Sequence, residues 1–378
     1  MLKKKYVSVF VATVLAALSL GVGVPSGQAA EKLIQVHISG GENVRVLWED
    51  TLVPAFMAAN PGYNVKVTLD LAGRNDSQQI AKITAAYATG KDAGIDLIDG
   101  GFVQQLGSAG WLYNGTKANI RGLNYVDRSV LALGRGGIPY RASVVLLAYN
   151  STKVPSPPKT LDELLSWIES NPGKFTYNVP SGGGSGYAFV QTVVDKYMSK
   201  TDRKALSEGV NKALQSKWAP GLEKLRYLNK FTYGQNGTYP PNNNETLRYL
   251  STGLVDMGTV WSDMFASALA TGTMPANIKV TQIANPPFTG GAAYLGIPRT
   301  SKNYRAARVM ADWLLSPDAQ NLIVSGTLNG MPVIPTSMLN QKIQDSFKGV
   351  DLTSLRPPYL SANNNDLKSA WATSVPGK

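Results

Sequence analysis

Lys32-Leu-Ile-Gln-Val-His-Ile-Ser-Gly-Gly-Glu-Asn43 carries the pattern that decides the fold. Ile34, Val36 and Ile38 alternate with Leu33, Gln35 and His37, the two-residue period of a buried strand, and the loop Ser39–Asn43 ends it. Val44, Leu47, Trp48, Leu52, Phe56 and Met57 then fall at helical spacing, with Pro54 expected to divide two short helices. Asn60-Pro61-Gly62 is a strong stop, and Val65, Val67 and Leu69 mark a second strand over Asn64–Asp70. A helix over Asp76–Tyr87 leads to a short strand, Ile95–Asp99, that runs into Gly100-Gly101. Strand, helix, strand, helix in this order implies an α/β fold with a parallel sheet covered by helices on both faces.

Farther along, Ser143–Ala148 reads as an apolar strand, and Thr160–Glu169 as a helix whose Thr160 and Glu163 have capping-box spacing. Helical patterns follow over Tyr187–Ser199 and much of Asp202–Leu228, then over Glu245–Thr252 and Asn303–Leu315. Strands are expected at Val255–Trp261, Ile278–Ile283 and Ala292–Ile297. Ser316-Pro317 supplies an N-cap and a first-turn proline for one more helix.

Composition removes most enzyme chemistry. The 378 residues include no cysteine, which excludes thiol catalysis, iron–sulfur clusters, cysteine–zinc sites and a lipid-acylated N-terminal cysteine. The single histidine, His37, sits in the opening strand and reads as a core residue, so neither a histidine triad nor a histidine-rich metal site is expected. Net charge is +12, but after Lys5 the basic residues are dispersed, which reads as a basic surface and not as a nucleic-acid interface. Residues 1–30 combine Lys3–Lys5, an apolar stretch over Tyr6–Val24 and a small-residue end at Ala29-Ala30. That is the order of a secretory signal peptide cleaved near Ala29 or Ala30, giving an exported protein placed in the periplasm.

Ligands of parallel sheets collect at the carboxyl ends of the strands, where helix starts present free N–H groups. Ser39, Gly41 and Glu42 occupy that edge after the first strand, and Asp99 occupies it after the third. Ser181-Gly-Gly-Gly-Ser-Gly186 is the most phosphate-like stretch but lacks the ending of a P-loop, so Ser181, Gly182, Gly183 and Ser185 are read as one wall of a small-molecule cleft. Trp261 and Asp263 set an indole beside a carboxylate, suited to a cation or a sugar. Tyr294 is shared between core and site. No catalytic residue, metal ligand or cofactor is assigned.

The order of several pieces resembles one family. Leu52-Val-Pro-Ala-Phe-Met-Ala-Ala-Asn-Pro-Gly-Tyr-Asn-Val-Lys-Val67, Gly94-Ile-Asp-Leu-Ile-Asp99 and Ile138-Pro-Tyr140 followed by Ala148-Tyr-Asn150 are similar to segments of bacterial extracellular solute-binding proteins. So are Pro158-Lys-Thr-Leu-Asp-Glu-Leu-Leu165 and Asp312-Trp-Leu-Leu-Ser-Pro-Asp-Ala-Gln320. The resemblance implies a two-lobed, type II periplasmic-binding-protein-like architecture with mixed, mostly parallel sheets and lobes joined by a hinge. Lobe 1 is then 31–142 plus 290–338, lobe 2 is 143–289, and 339–378 is a helical tail packing on the lobes. It implies a monomer that captures a small solute and delivers it to the permease subunits of an ABC importer. Gly40-Gly41 and the Trp261 region most resemble the branch serving polyamines, ferric iron and thiamine, and Trp261 with Asp263 is similar to the clamp of polyamine binders at shorter spacing. The iron binders' paired tyrosines have no counterpart, since Tyr233 and Tyr239 are too far apart. Two other readings stay open on the residues alone: a secreted carbohydrate-active enzyme with two cleft carboxylates, and an adhesive basic surface protein.

Overall fold

The alternation in the opening segment becomes β1 (Lys32–Gly40), whose Ile34, Val36 and Ile38 are buried. The computed structural model describes residues 32–71, 73–326, 328–346 and 356–376, so the expected signal peptide lies outside the described residues. Among them are seven further strands: β2 (Tyr63–Leu71), β3 (Leu97–Asp99), β4 (Ile138–Asn150), β5 (Phe175–Thr176), β6 (Met257–Trp261), β7 (Ile278–Thr281) and β8 (Gly290–Gly296). They lie in the order β2-β1-β3-β8-β4-β6-β5, with β7 also on β4. β1 pairs parallel with β2 and β3, and β5 parallel with β6. All pairs made by β4 and β8 are antiparallel. The sheets are therefore mixed, and parallel pairing is confined to β2-β1-β3, where helical crossovers connect the strands, and to the short β5-β6 pair.

β4 accounts for the difference. It is 13 residues long, more than twice the strand read from Ser143–Ala148. Ile138–Val144 pairs with β8, whereas Val145–Asn150 pairs with β6 and β7. One strand thus belongs to two sheets and joins two lobes. The largest core cluster gathers Ile34, Trp48, Phe56 and Leu97 with Leu295, Met310, Leu314 and Ile343. The second gathers Val145, Leu164, Phe175, Phe189 and Leu225 with Phe288, Tyr359, Leu367 and Trp371. Each fully buried Leu or Phe contributes roughly 1.5–3 kcal/mol of transfer free energy. The C-terminal helix Ser361–Ser374 is fixed to the second cluster by Leu367 and Trp371, and Trp371 Nε1 donates to Tyr177 Oη at 3.2 Å.

Local chemistry explains two departures from expectation. Pro54 does not divide two helices: Glu42–Val46, a widened turn Leu47–Leu52 and Val53–Ala59 form one helical run. The Val53 N–H reaches back to Trp48 O, five residues earlier, so the ladder absorbs the N–H that proline lacks. At Leu161–Ser170, Thr160 Oγ1 accepts the Glu163 N–H at 3.2 Å, but Glu163 returns to the Lys159 N–H at 2.7 Å, one residue before the position a capping box predicts.

Candidate functional site

The carboxyl ends of β1 and β3 face a cavity of about 1170 Å³. One wall is Ser39–Asn43 at the end of β1, Gly73, Arg74 and Asp76, and Asp99–Gly101 at the end of β3. The opposite wall is Pro180–Gly184, Asn242–Asn244 and Trp261 with Asp263. Arg141 and Ser143 of β4 and Gly291–Tyr294 of β8 line it from the strands that cross between lobes, and Lys368 enters from the C-terminal helix. Ten of the eleven residues singled out in the sequence line this one space: Ser39, Gly41, Glu42, Asp99, Ser181, Gly182, Gly183, Trp261, Asp263 and Tyr294.

Ser185 does not. It is fully buried behind the wall, with Oγ 2.8 Å from both Asn178 Oδ1 and Asn243 Oδ1. Its role is to tie the glycine run to the neighbouring loop. The glycines follow from close approach: a Cβ on Gly182 would lie 1.7 Å from Pro241 O, and one on Gly186 would lie 1.8 Å from Asn178 O. The phosphate-like composition of this stretch therefore reflects backbone packing, which also holds the wall rigid.

The acidic residues are largely engaged by the protein. Asp99 is buried and accepts hydrogen bonds from Trp48 Nε1 at 3.0 Å and from the Tyr140 hydroxyl. Asp263 accepts from Ser143 Oγ at 2.8 Å and, across the cavity, from Asn43 Nδ2 at 3.4 Å. Asp76 accepts from Ser39 Oγ at 2.6 Å. Burial pushes the Asp76 carboxyl above its ordinary value, against the Ser39 hydrogen bond. Glu42 is exposed at the rim, and its hydrogen bond from Arg45 holds its carboxyl below the usual range.

The cations are less committed. Arg141 has a side chain only 12% exposed. Its Nε donates to Tyr140 Oη at 2.7 Å, and its nearest carboxylate contact is Asp99 Oδ2 at 3.9 Å. Burial opposes its charge, but Tyr140, Asp99 and Asp263 more than offset this and hold the guanidinium above its ordinary value. For Lys368, burial pushes the ammonium down, and Asp76 only partly restores it.

Trp261 stands half-buried at the end of β6 over Gly184, where a Cβ would lie 2.7 Å from its ring. Tyr294 is 7% exposed, donates to Val130 O at 2.8 Å and is chiefly core, with one face on the cavity. His37 is buried as expected, but its Nε2 has no hydrogen-bond partner among the described residues, and burial pushes its pKa down. Among the described residues no group of three or more His, Cys, Asp or Glu side chains is arranged to hold a metal ion. Sequence reasoning missed Asn43, Asp76, Arg141, Ser143 and Lys368. Arg141 alone had a signal, as the one charge inside an otherwise apolar strand segment.

A family model described as bacterial extracellular solute-binding protein matches residues 51–348. The chain is 26% identical to Protein YnjB of Escherichia coli (strain K12) over 278 residues, covering 70% of each chain. Among solved structures, maltose-bound MalE3 of T. maritima is similar at a TM-score of 0.69 and 16% identity, covering 91% of this chain and 96% of that one. The spermidine/putrescine ABC transporter substrate-binding protein PotD of Streptococcus pneumoniae is similar at 0.65 and 14%, covering 90% and 99%. At these identities the structural likeness establishes the two-lobed fold, whereas the family match extends through most of the chain. The protein therefore belongs to the bacterial extracellular solute-binding protein family.

Proposed function

We propose that the protein captures a small polar solute between its lobes and presents the closed form to the permease of an ABC-type importer. One observation carries this reading: a single cavity walled by both lobes and lined by the strands that cross between them. In this reading the lobes are 31–142 plus 290–338 and 143–289, hinged where β4 changes partners between Val144 and Val145, with the tail 339–378 packing on both lobes. Contacts completed only on closure, such as those of Asn43 and Trp261, shift the open–closed equilibrium toward the form the permease reads. The chain acts after export, as a binding protein without turnover.

Thermal melting against spermidine, putrescine, thiamine, ferric citrate, 2-aminoethylphosphonate, phosphate and maltose tests the capture. A probe at about 100 times its Kd stabilises by about 2.7 kcal/mol. One selective shift, together with a contracted small-angle scattering profile, supports capture by closure. An unchanged profile at saturation removes the hinge, and hydrolysis of chromogenic glycosides replaces the reading with an enzyme.

A further inference from the structure

The two signs of charge in the cavity are not equally available. Each deep carboxylate already accepts a hydrogen bond: Asp99 from Trp48 and Tyr140, Asp263 from Ser143 and Asn43, Asp76 from Ser39. On the cationic side, Arg141 commits its Nε to Tyr140, and its terminal nitrogens make no hydrogen bond within 3.5 Å among the described residues. Lys368 Nζ likewise donates none, resting 5.5 Å from the Tyr187 ring centroid. A buried guanidinium is costly until its N–H groups find acceptors. The helix Ser262–Ala270 begins at the same cavity without a side-chain cap, adding backbone N–H donors, whereas the Ser185 and Gly186 N–H groups at the start of Gly184–Lys196 are taken by Asn243 and Asn178.

We infer that the captured solute carries an anionic group, a carboxylate, phosphate or phosphonate, seated on the terminal nitrogens of Arg141 at the crossing strand. The inference rests on the capture reading and names its substrate class. The planar guanidinium matches such groups with two parallel N–H···O bonds, which a lysine cannot reproduce. The rest of the solute lies toward Trp261. This departs from the polyamine-like expectation, in which Asp263 and Asp99 would be the open partners.

Equilibrium dialysis decides it. The refolded protein is dialysed against a defined mixture of succinate, glutamate, glycerol 3-phosphate, 2-aminoethylphosphonate, thiamine monophosphate, thiamine, spermidine, putrescine and maltose, each submillimolar, with retained compounds read by mass spectrometry. Retention of an acid-bearing compound is expected, weakened roughly 100-fold by Arg141→Gln and less by Arg141→Lys. Circular dichroism of both variants separates lost binding from lost folding, and the Lys variant keeps the test valid if the Gln variant unfolds. Equal retention by wild type and variants, or retention only of thiamine, spermidine, putrescine or maltose, overturns the inference while leaving capture intact. Retention of nothing overturns both.

Discussion

Arg356 and Arg141 are both largely buried, each stands beside an aspartate, and each borders a cavity, yet they serve different ends. Arg356 donates from Nε to Pro287 O at 2.7 Å, from one terminal nitrogen to Asp195 and from the other to Thr192 Oγ1 at 2.5 Å. Asp195 is completed by Gln191 at 3.2 Å and by the Tyr359 hydroxyl. Burial nevertheless pushes the Asp195 carboxyl up and the Arg356 guanidinium down, so desolvation outweighs the pairing. Arg141 lacks such closure. A finished network orders the chain, whereas an unfinished one in a cleft waits for a partner, and the number of uncommitted N–H groups separates the two better than burial does.

The sharpest way to break this contrast is to cut the finished pair. Arg356→Met leaves Asp195 buried without its cation and should cost about 3–5 kcal/mol in urea unfolding, with solute affinity of the folded protein unchanged. Adding Asp195→Leu should recover most of that loss, and failure to recover would mean that the network stabilises beyond its ion pair. Next, Arg141→Gln should lower stability by only about 1–2 kcal/mol, because Trp48 and Tyr140 still satisfy Asp99, while abolishing most binding. A stability loss as large as that of Arg356→Met would erase the distinction. Trp261→Ala should weaken binding about tenfold with little change in unfolding, since the ring is half-buried at the cavity wall.

The smallest effect concerns protons. Burial holds the Lys368 pKa below its ordinary value, so as pH rises the free protein loses this proton before an exposed lysine would. An anion entering the cavity raises that pKa, so binding takes up a fraction of a proton and affinity falls as pH rises through the bound-state value. Calorimetry across the alkaline range in two buffers of different ionisation enthalpy measures the uptake, and Lys368→Met should remove it.

Features governed by local rules were legible before any coordinates. Alternation located β1 and β2, and the rule that ligands gather at the carboxyl ends of parallel strands placed Ser39, Gly41 and Asp99 on the cavity. What escaped depends on partners distant in the chain. Ser185 looks like its neighbour Ser181, but Asn178 and Asn243 draw it into the interior. Trp261 and Asp263 read as a clamp, but no periodicity could announce that Ser143 and Asn43 would engage the carboxylate. Lys368 lies in a tail with no regular pattern, and only the docking of its helix brings it to the cavity.

That docking also orders events in time. The first core cluster includes Ile343, and the second includes Leu367 and Trp371 of the helix Ser361–Ser374. The second core therefore cannot close until that helix docks, however early Val145 and Phe175 are in place.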